Sequence, residues 1–502
     1  MRNGQLGIEN TENIGDESNE MGDFLINTNL GSGRGVLQSQ GGNLHSCAIL
    51  DDFSLKCWGR NHIGQLGYED TNQRGHQAFQ MGDYLEKVDV GDYLIPYSVH
   101  LGDYHTCVSF SDGVSLKCFG QNGEGQLGQG HTSNIGDGFN EMGEQLPTIQ
   151  LGAGNEIELC FDYSPTFSPT IYVPSSCSSR FSFGYDVGVL TSSQNVKCWG
   201  HNARGQLGYG NVEHLGDEPN ELGDYFPFLN LDGDSVISFH SGSEHNCAHF
   251  SDLSIKCWGY NIYGQLGYGD IEDRGDESGE MGEYLPQLNT GSDFLISSTS
   301  LGRHHSLVVS GQGNLKCWGF NTYGQLGYGD TNDRGDAANE MGSYLPFISL
   351  GAGRKVEQGF GGGYHSCVLL DNSRLKCFGE NGSGELGQGN ITNLGDDPNE
   401  MSDYLPYIPF PFGVQIEKVG IGWFHNGIIS QEGDLFLWGW NINGQLGLGH
   451  SNDIGDNENE MGEYLQLTDL GSGRTSLEFS GGERHSVTFC YQISLFNIFF
   501  WF

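Results

Sequence analysis

Aspartate and glutamate stand four residues apart at Asp16 and Glu20, Asp137 and Glu141, Asp217 and Glu221, Asp276 and Glu280, Asp336 and Glu340, Asp396 and Glu400, and Asp456 and Glu460. Two carboxylates at that separation can hold a divalent cation. With Asp330 and Asp333 supplying oxygens upstream of Asp336, one reading is a calcium site in each loop. The other makes the aspartate an N-cap and has the glutamate accept hydrogen bonds from a neighbouring loop. Met341 occupies the place where an EF-hand carries its bidentate glutamate, which favours capping. Like charges at this spacing repel on an isolated helix, so each pair needs a compensating contact. One unit has His76 and Gln80 instead and loses both acids together. Capping is the expectation, with calcium at Asp336, Glu340, Asp276, Glu280, Asp456 and Glu460 as the alternative. No other cofactor is expected.

Cysteines pair at a second fixed spacing: Cys47 with Cys57, Cys107 with Cys118, Cys247 with Cys257, and Cys367 with Cys377. In an antiparallel hairpin centred on residue 52, positions 47 and 57 stand opposite each other within disulfide reach. Gly427 and Leu437 replace both partners in another unit, whereas Cys198 and Cys317 keep one and meet Val189 and Leu307. Cross-strand disulfides are expected, with small buried thiols as the alternative. Histidine opens the strand at His45, His105, His245, His305, His365, His425 and His485, and Val187 takes that place once. One imidazole per unit offers no second ligand at metal-binding spacing. Each is therefore read as bonding backbone of the neighbouring unit, a structural role shared with Trp58, Trp199, Trp258, Trp318 and Trp438. No Ser-His-Asp spacing or phosphate-binding glycine loop occurs, so no catalytic residue is assigned.

The segments that must place these residues recur. G-[QE]-L-G begins at Gly4, Gly64, Gly125, Gly205, Gly264, Gly324, Gly384 and Gly444, at intervals of 59 to 61 residues except for one of 80. The surplus falls at 156–180, an inserted or degenerate loop, and 490–502 is an atypical apolar tail. In the unit Gly361–Ile408, HSCVLL and RLKCFG flank Asp371 and Asn372 and read as a β-hairpin. G-D-x-x-N-E-M-G reads as one helical turn, and the Leu-Pro that follows opens an edge segment. Each unit is thus expected to hold four short strands. Sixty residues cannot cover both faces of such a sheet, so units must pack face to face, and a closed ring protects their edges.

Composition narrows the classes. The 502 residues carry 64 acidic and 22 basic side chains, a net charge of −42, which would repel phosphates and excludes a nucleic-acid partner. Glycine numbers 81 without a three-residue period, and 59 aromatic residues provide a core. No apolar run approaches the ~18 residues of a membrane span, and the start, MRNGQLGIEN, has no signal-peptide character.

The pattern H-[ST]-x-A/V-L … L-x-x-W-G-x-N-x-x-G-Q-L-G-x-G resembles the regulator of chromosome condensation repeat, over nearly the whole chain apart from 156–180 and the last few residues. The resemblance implies an all-β, closed β-propeller of four-stranded repeats forming a single domain over 1–502. Eight units are counted against the seven blades usual in the family. The founding member is a nuclear exchange factor for a Ran-type GTPase. The family's ultraviolet-B photoreceptor clusters tryptophans two residues before the strand-opening histidine, where this chain has only Trp423. The expected function is a non-enzymatic, monomeric scaffold that meets a protein or glycan through acidic rim loops. The alternative is guanine-nucleotide exchange on a Ran-like small GTPase. Disulfides would place the chain in an extracellular or secretory compartment, if a leader precedes residue 1; otherwise it is cytoplasmic.

Overall fold

The structure is a computed structural model that describes residues 3–152, 181–183, 186–191, 193–233, 235–481, 486–492 and 495–501. The expected insert at 156–180, with Cys160 and Cys177, lies outside them, as does His485. Among the described residues the fold is all-β apart from five single 3-10 turns, such as Gly282–Tyr284. Among the described residues no helix is long and apolar enough to cross a membrane.

Eight three-stranded antiparallel sheets follow one another along the chain, each ordered first, second, third. The central strands are His45–Leu50, His105–Phe110, Asp186–Leu190, His245–Phe250, His305–Ser310, His365–Leu370, His425–Ser430 and Ser486–Gln492. Every residue of His45–Leu50 and of His305–Ser310 is buried. A strand covered on both faces must lie between packed neighbours, which explains why apolar residues fill both phases of its alternation. Five tryptophans on the third strands are wholly buried, and burying a large apolar side chain stabilises by about 1.5–3 kcal/mol.

The expected fourth strand does not form. The Leu-Pro segment contributes one bond per unit to the third strand, for example from the Leu288 N–H to the Ile255 carbonyl (2.9 Å) and from the Ile348 N–H to the Leu315 carbonyl (3.0 Å). Pro286 and Pro346, two residues earlier, have no N–H to extend the ladder. A single bridge, such as Gly319 with Arg334, is the remaining pairing at that strand's end. The G-D-x-x-N-E-M-G segment is not a helical turn either. Asn339 has φ 66°, which breaks any right-handed helix, and the 3-10 turns begin only after the methionine.

Loops of successive units interlock. The Gly329 N–H donates to the Gly395 carbonyl (2.9 Å) and the Gly389 N–H to the Gly455 carbonyl (2.8 Å). The same bond links the two ends of the chain, from the Gly449 N–H to the Gly15 carbonyl (2.8 Å). Gly335, at φ 87°, shows why glycine recurs here, because a Cβ would lie 2.7 Å from the Gly264 carbonyl oxygen of the preceding unit.

Candidate functional site

The acidic loops are organised by their glutamates. Glu340 Oε2 accepts from the Gly335 N–H (2.9 Å) and the Ala337 N–H (3.1 Å). Glu280 does the same with Gly275 and Glu277, and Glu460 with Gly455 and Asn457. The expected cap is therefore present with its members exchanged, since the glutamate reaches back to its own loop and the aspartate is not the N-cap. Gln80 Oε1 accepts from the His76 and Gln77 N–H groups in the unit that lacks both acids. A neutral amide performs this contact, so the loop's geometry does not require a cation. Burial, with Asp336 and Asp276 alongside, raises the carboxyls of Glu340 and Glu280. Burial and then Glu460 push Asp456 up to about 6.

Beyond each cap the chain turns outward. Tyr84, Tyr225, Tyr284, Tyr344, Tyr404 and Tyr464 occupy one loop position and are 63–81% exposed. The acid preceding the tyrosine ties two units together. Asp83 accepts from the Ser32 N–H (2.9 Å) and hydroxyl (2.7 Å), Asp403 from the Ala352 N–H (3.0 Å), and Glu463 from the Phe412 N–H (2.8 Å).

The strand-opening histidines reach the neighbouring unit, through a side chain rather than the expected backbone. His305 Nε2 meets the Ser366 hydroxyl at 3.0 Å, and that hydroxyl donates to the Gln325 carbonyl (2.8 Å). The serine proton is thus committed and the histidine is the donor. His45 with Thr106, His245 with Ser306, His365 with Asn426 Oδ1, and His425 with Ser486 repeat the contact. Trp58, Trp258, Trp318 and Trp438 donate from Nε1 to the carbonyls of Gln5, Gln206, Gln265 and Glu385, and Trp199 to that of Gln126. Burial holds His245 and His305 down to about 3, and His105 and His365 to about 4, so all four are neutral.

Cys47 and Cys57, Cys107 and Cys118, Cys247 and Cys257, and Cys367 and Cys377 face each other in register and stand at disulfide distance, with Cα atoms 4.1 Å apart in each pair. Cys198 and Cys317 are buried, and burial raises Cys317.

Sequence reasoning overlooked the lysine before the second cysteine position. Lys316 Nζ donates to the carbonyls of Thr290 and Gly342 (both 2.7 Å), and Lys376 Nζ to those of Leu350 (2.7 Å) and Ser402 (2.9 Å). Each buried ammonium thus anchors two loops through carbonyl oxygens. Its recurrence in six L/I/V-K-C segments was the available signal.

The group of potential metal ligands that converges among the described residues is Glu124, His201 and His214. His214 Nδ1 accepts from the Asn202 N–H (3.0 Å), where other units use Asp273 or Asp333 as the acceptor. The ring proton therefore lies on Nε2, which donates to Glu124 (2.7 Å). That tautomer leaves no lone pair on Nε2 for a metal.

The sequence profile described as the Regulator of chromosome condensation (RCC1) repeat matches residues 296–325, 356–385 and 312–369. The Ultraviolet-B receptor UVR8 of Arabidopsis thaliana is 29% identical over 424 residues, covering 84% of this chain and 80% of the receptor. The mitochondrial RCC1 domain-containing protein RUG3 of the same plant is 27% identical, covering 67% of this chain and 68% of its own. Human WBSCR16, at 19% identity and a TM-score of 0.55, covers 87% of this chain and 98% of its own, a likeness of fold alone. The histidine contact, the buried tryptophan and the interlocking glycines recur from unit to unit, and residues 296–385 match the regulator of chromosome condensation repeat, to whose proteins the chain is similar over most of its length.

Proposed function

We propose that this chain is a non-enzymatic scaffold for protein–protein interaction, built as a closed ring of eight units whose acidic loops form its rim. The carrying observation is the row of exposed tyrosines, one at the same position in six units, each next to the loop whose backbone is fixed by glutamate or, before Tyr84, by Gln80. Tyrosine offers a large contact area at little entropic cost, and its presence at a rigid, repeated place suits recognition. The repeated histidine, lysine and tryptophan are engaged in architecture, which leaves the loops to vary. Bonds from Gly449 to Gly15 and from Ser472 to Asp23 support the ring. The four cysteine pairs support an oxidising compartment. Calcium is not needed in this reading.

Cross-linking the purified chain in an extract of its source, followed by mass spectrometry, tests the proposal. Cross-links to a protein partner are expected on the tyrosine-bearing loops, and replacing Tyr284, Tyr344 and Tyr404 with alanine should abolish them. Unchanged cross-linking by that variant counts against the rim. Accelerated release of labelled nucleotide from a Ran-, Rab- or Rho-type GTPase would replace the scaffold by an exchange factor.

A further inference from the structure

At one end of the sheets the second strand begins and the third ends, with His305 opposite Gly319 and His365 opposite Gly379. The side chains just beyond these pairs differ between units, and across several consecutive units they are aromatic and touch. Tyr263 packs against Phe320 with ring centroids 4.7 Å apart, Phe320 lies 6.0 Å from Tyr364, and Tyr323 lies 5.5 Å from Tyr364. The guanidinium of Arg303 continues the arc, 5.4 Å from the Tyr364 ring and 5.1 Å from Trp423, with Nη1 donating to the Tyr364 hydroxyl (2.8 Å). At the other end Arg204 sits 4.7 Å over the Tyr260 ring. The surface therefore already seats two guanidinium groups of its own on tyrosine faces.

Carboxylates border the rings. Burial raises Tyr260, with Glu244 and Asp273 also acting on it, and Glu380 acts on Tyr364. Asp273 lies 3.9 Å from Arg204, but among the described residues neither Glu244 nor Glu380 has an ion-pair partner. Glu380 is half-buried beside the arc, so its charge is poorly compensated. A second copy of this chain would bring another 42 net negative charges to the surface, whereas a basic segment brings the missing sign.

We propose that this aromatic arc is the docking surface for an arginine-containing basic segment of a partner protein, whose guanidinium groups stack on Tyr263 and Tyr323 and whose charge is met by Glu380 and Glu244. The inference rests on the scaffold reading and adds to the rim contact a separate one at the end of the sheets. Tyr263, Tyr323 and Glu380 are all partly exposed, so changing them does not open the core.

The test is fluorescence anisotropy of a dye-labelled peptide of six Gly-Arg repeats against the full chain, with six Gly-Gln repeats as control. Two triple variants each remove two aromatic rings and one charge: Tyr263→Ala, Tyr323→Ala and Glu380→Gln in the arc, and, as a control away from both the arc and the rim tyrosines, the exposed Tyr93→Ala, Phe412→Ala and Asp92→Asn. Equal melting midpoints confirm that both fold. The arc variant should lose about tenfold or more in affinity for the arginine peptide, a step of ~1.4 kcal/mol or more, while the control variant stays within about twofold. Equal losses would reduce the effect to net charge and overturn the proposal, as would absence of binding. Loss confined to the control variant overturns the arc and leaves the scaffold standing. A wild-type dimer in sedimentation that the arc variant dissociates would make a second copy the occupant, again overturning it.

Discussion

Asp23 accepts two hydrogen bonds from Ser472, from its N–H at 2.6 Å and its hydroxyl at 2.8 Å, across 449 residues of chain. Asp83 makes the same pair of bonds to Ser32, at 2.9 and 2.7 Å and a separation of 51. The contact that joins neighbouring units thus also joins the two ends. Those bonds, the one from the Ser472 N–H foremost, hold Asp23 below the usual carboxylate range. Replacing Asp23 with alanine should speed amide exchange in residues 13–24 and 449–472 and leave residues 245–440 unaffected. Uniform exchange changes across the chain would show that the contact does not act locally.

Neutral buried histidines make the fold sensitive to acid. His305 falls from 6.5 to about 3 on burial, so the unfolded chain binds its proton first as pH drops. Its contribution to stability is complete above pH ~6.5 and is lost toward pH ~3 at ~1.4 kcal/mol per pH unit. The lead of the wild type over His305→Gln should therefore shrink as pH falls from 6.5, read from denaturant midpoints. A lead that does not change with pH would mean His305 is not held neutral. At neutral pH, Ser366→Ala should cost about 1–3 kcal/mol by leaving the His305 N–H unpaired.

Glu385 behaves in the opposite sense. It stands where the other units have glutamine, is 2% exposed, and accepts from the Ser383 N–H (2.9 Å) as Gln325 does from Tyr323 (3.0 Å). Burial pushes its carboxyl up to about 7. A raised acid is best tolerated below its unfolded value of ~4.3 and becomes costly as pH rises through 7. Glu385→Gln should stabilise the protein by about 1–3 kcal/mol at pH 8 and confer no advantage near pH 4. Destabilisation at pH 8 would show that the charge is compensated.

How much of this was readable in the sequence depended on distance along the chain. The cysteine pairs were legible because Cys247 and Cys257 lie ten residues apart across one hairpin, where period and register alone decide what faces what. The eight sheets were legible from the G-[QE]-L-G spacing. The aspartate N-cap was misassigned because Asp336 and Glu340 share one short loop, and only the backbone path, with Asn339 at φ 66°, decides which carboxylate meets the amides. The fourth strand was overcounted because alternation survives where proline has removed the donors. The lysine anchors were missed because Lys316 meets carbonyls 26 residues away on either side. The aromatic arc was invisible because Tyr263, Phe320 and Tyr364 come from different units.

Reduction should weaken the fold. Each bridge closes a loop of ten or eleven residues, which constrains the unfolded chain by about 2–3 kcal/mol. Cys247→Ala with Cys257→Ala should lower stability by that amount under oxidising conditions and make no difference in excess dithiothreitol. A wild-type denaturant midpoint unchanged by reductant would return these cysteines to plain buried thiols.

The glutamate caps separate geometry from metal. Glu340→Gln should retain the contact, as Gln80 does, whereas Glu340→Ala should cost about 1 kcal/mol. Millimolar calcium should leave the melting midpoint where chelator leaves it. A rise of several degrees with calcium, lost in Glu340→Gln, would reassign the pair as a cation site.

The loops form one continuous interaction surface only if the last unit meets the first. Small-angle X-ray scattering of the monomer tests that most directly. A closed ring predicts a radius of gyration near the ~23 Å of a compact 502-residue domain, and a value above ~30 Å would contradict closure.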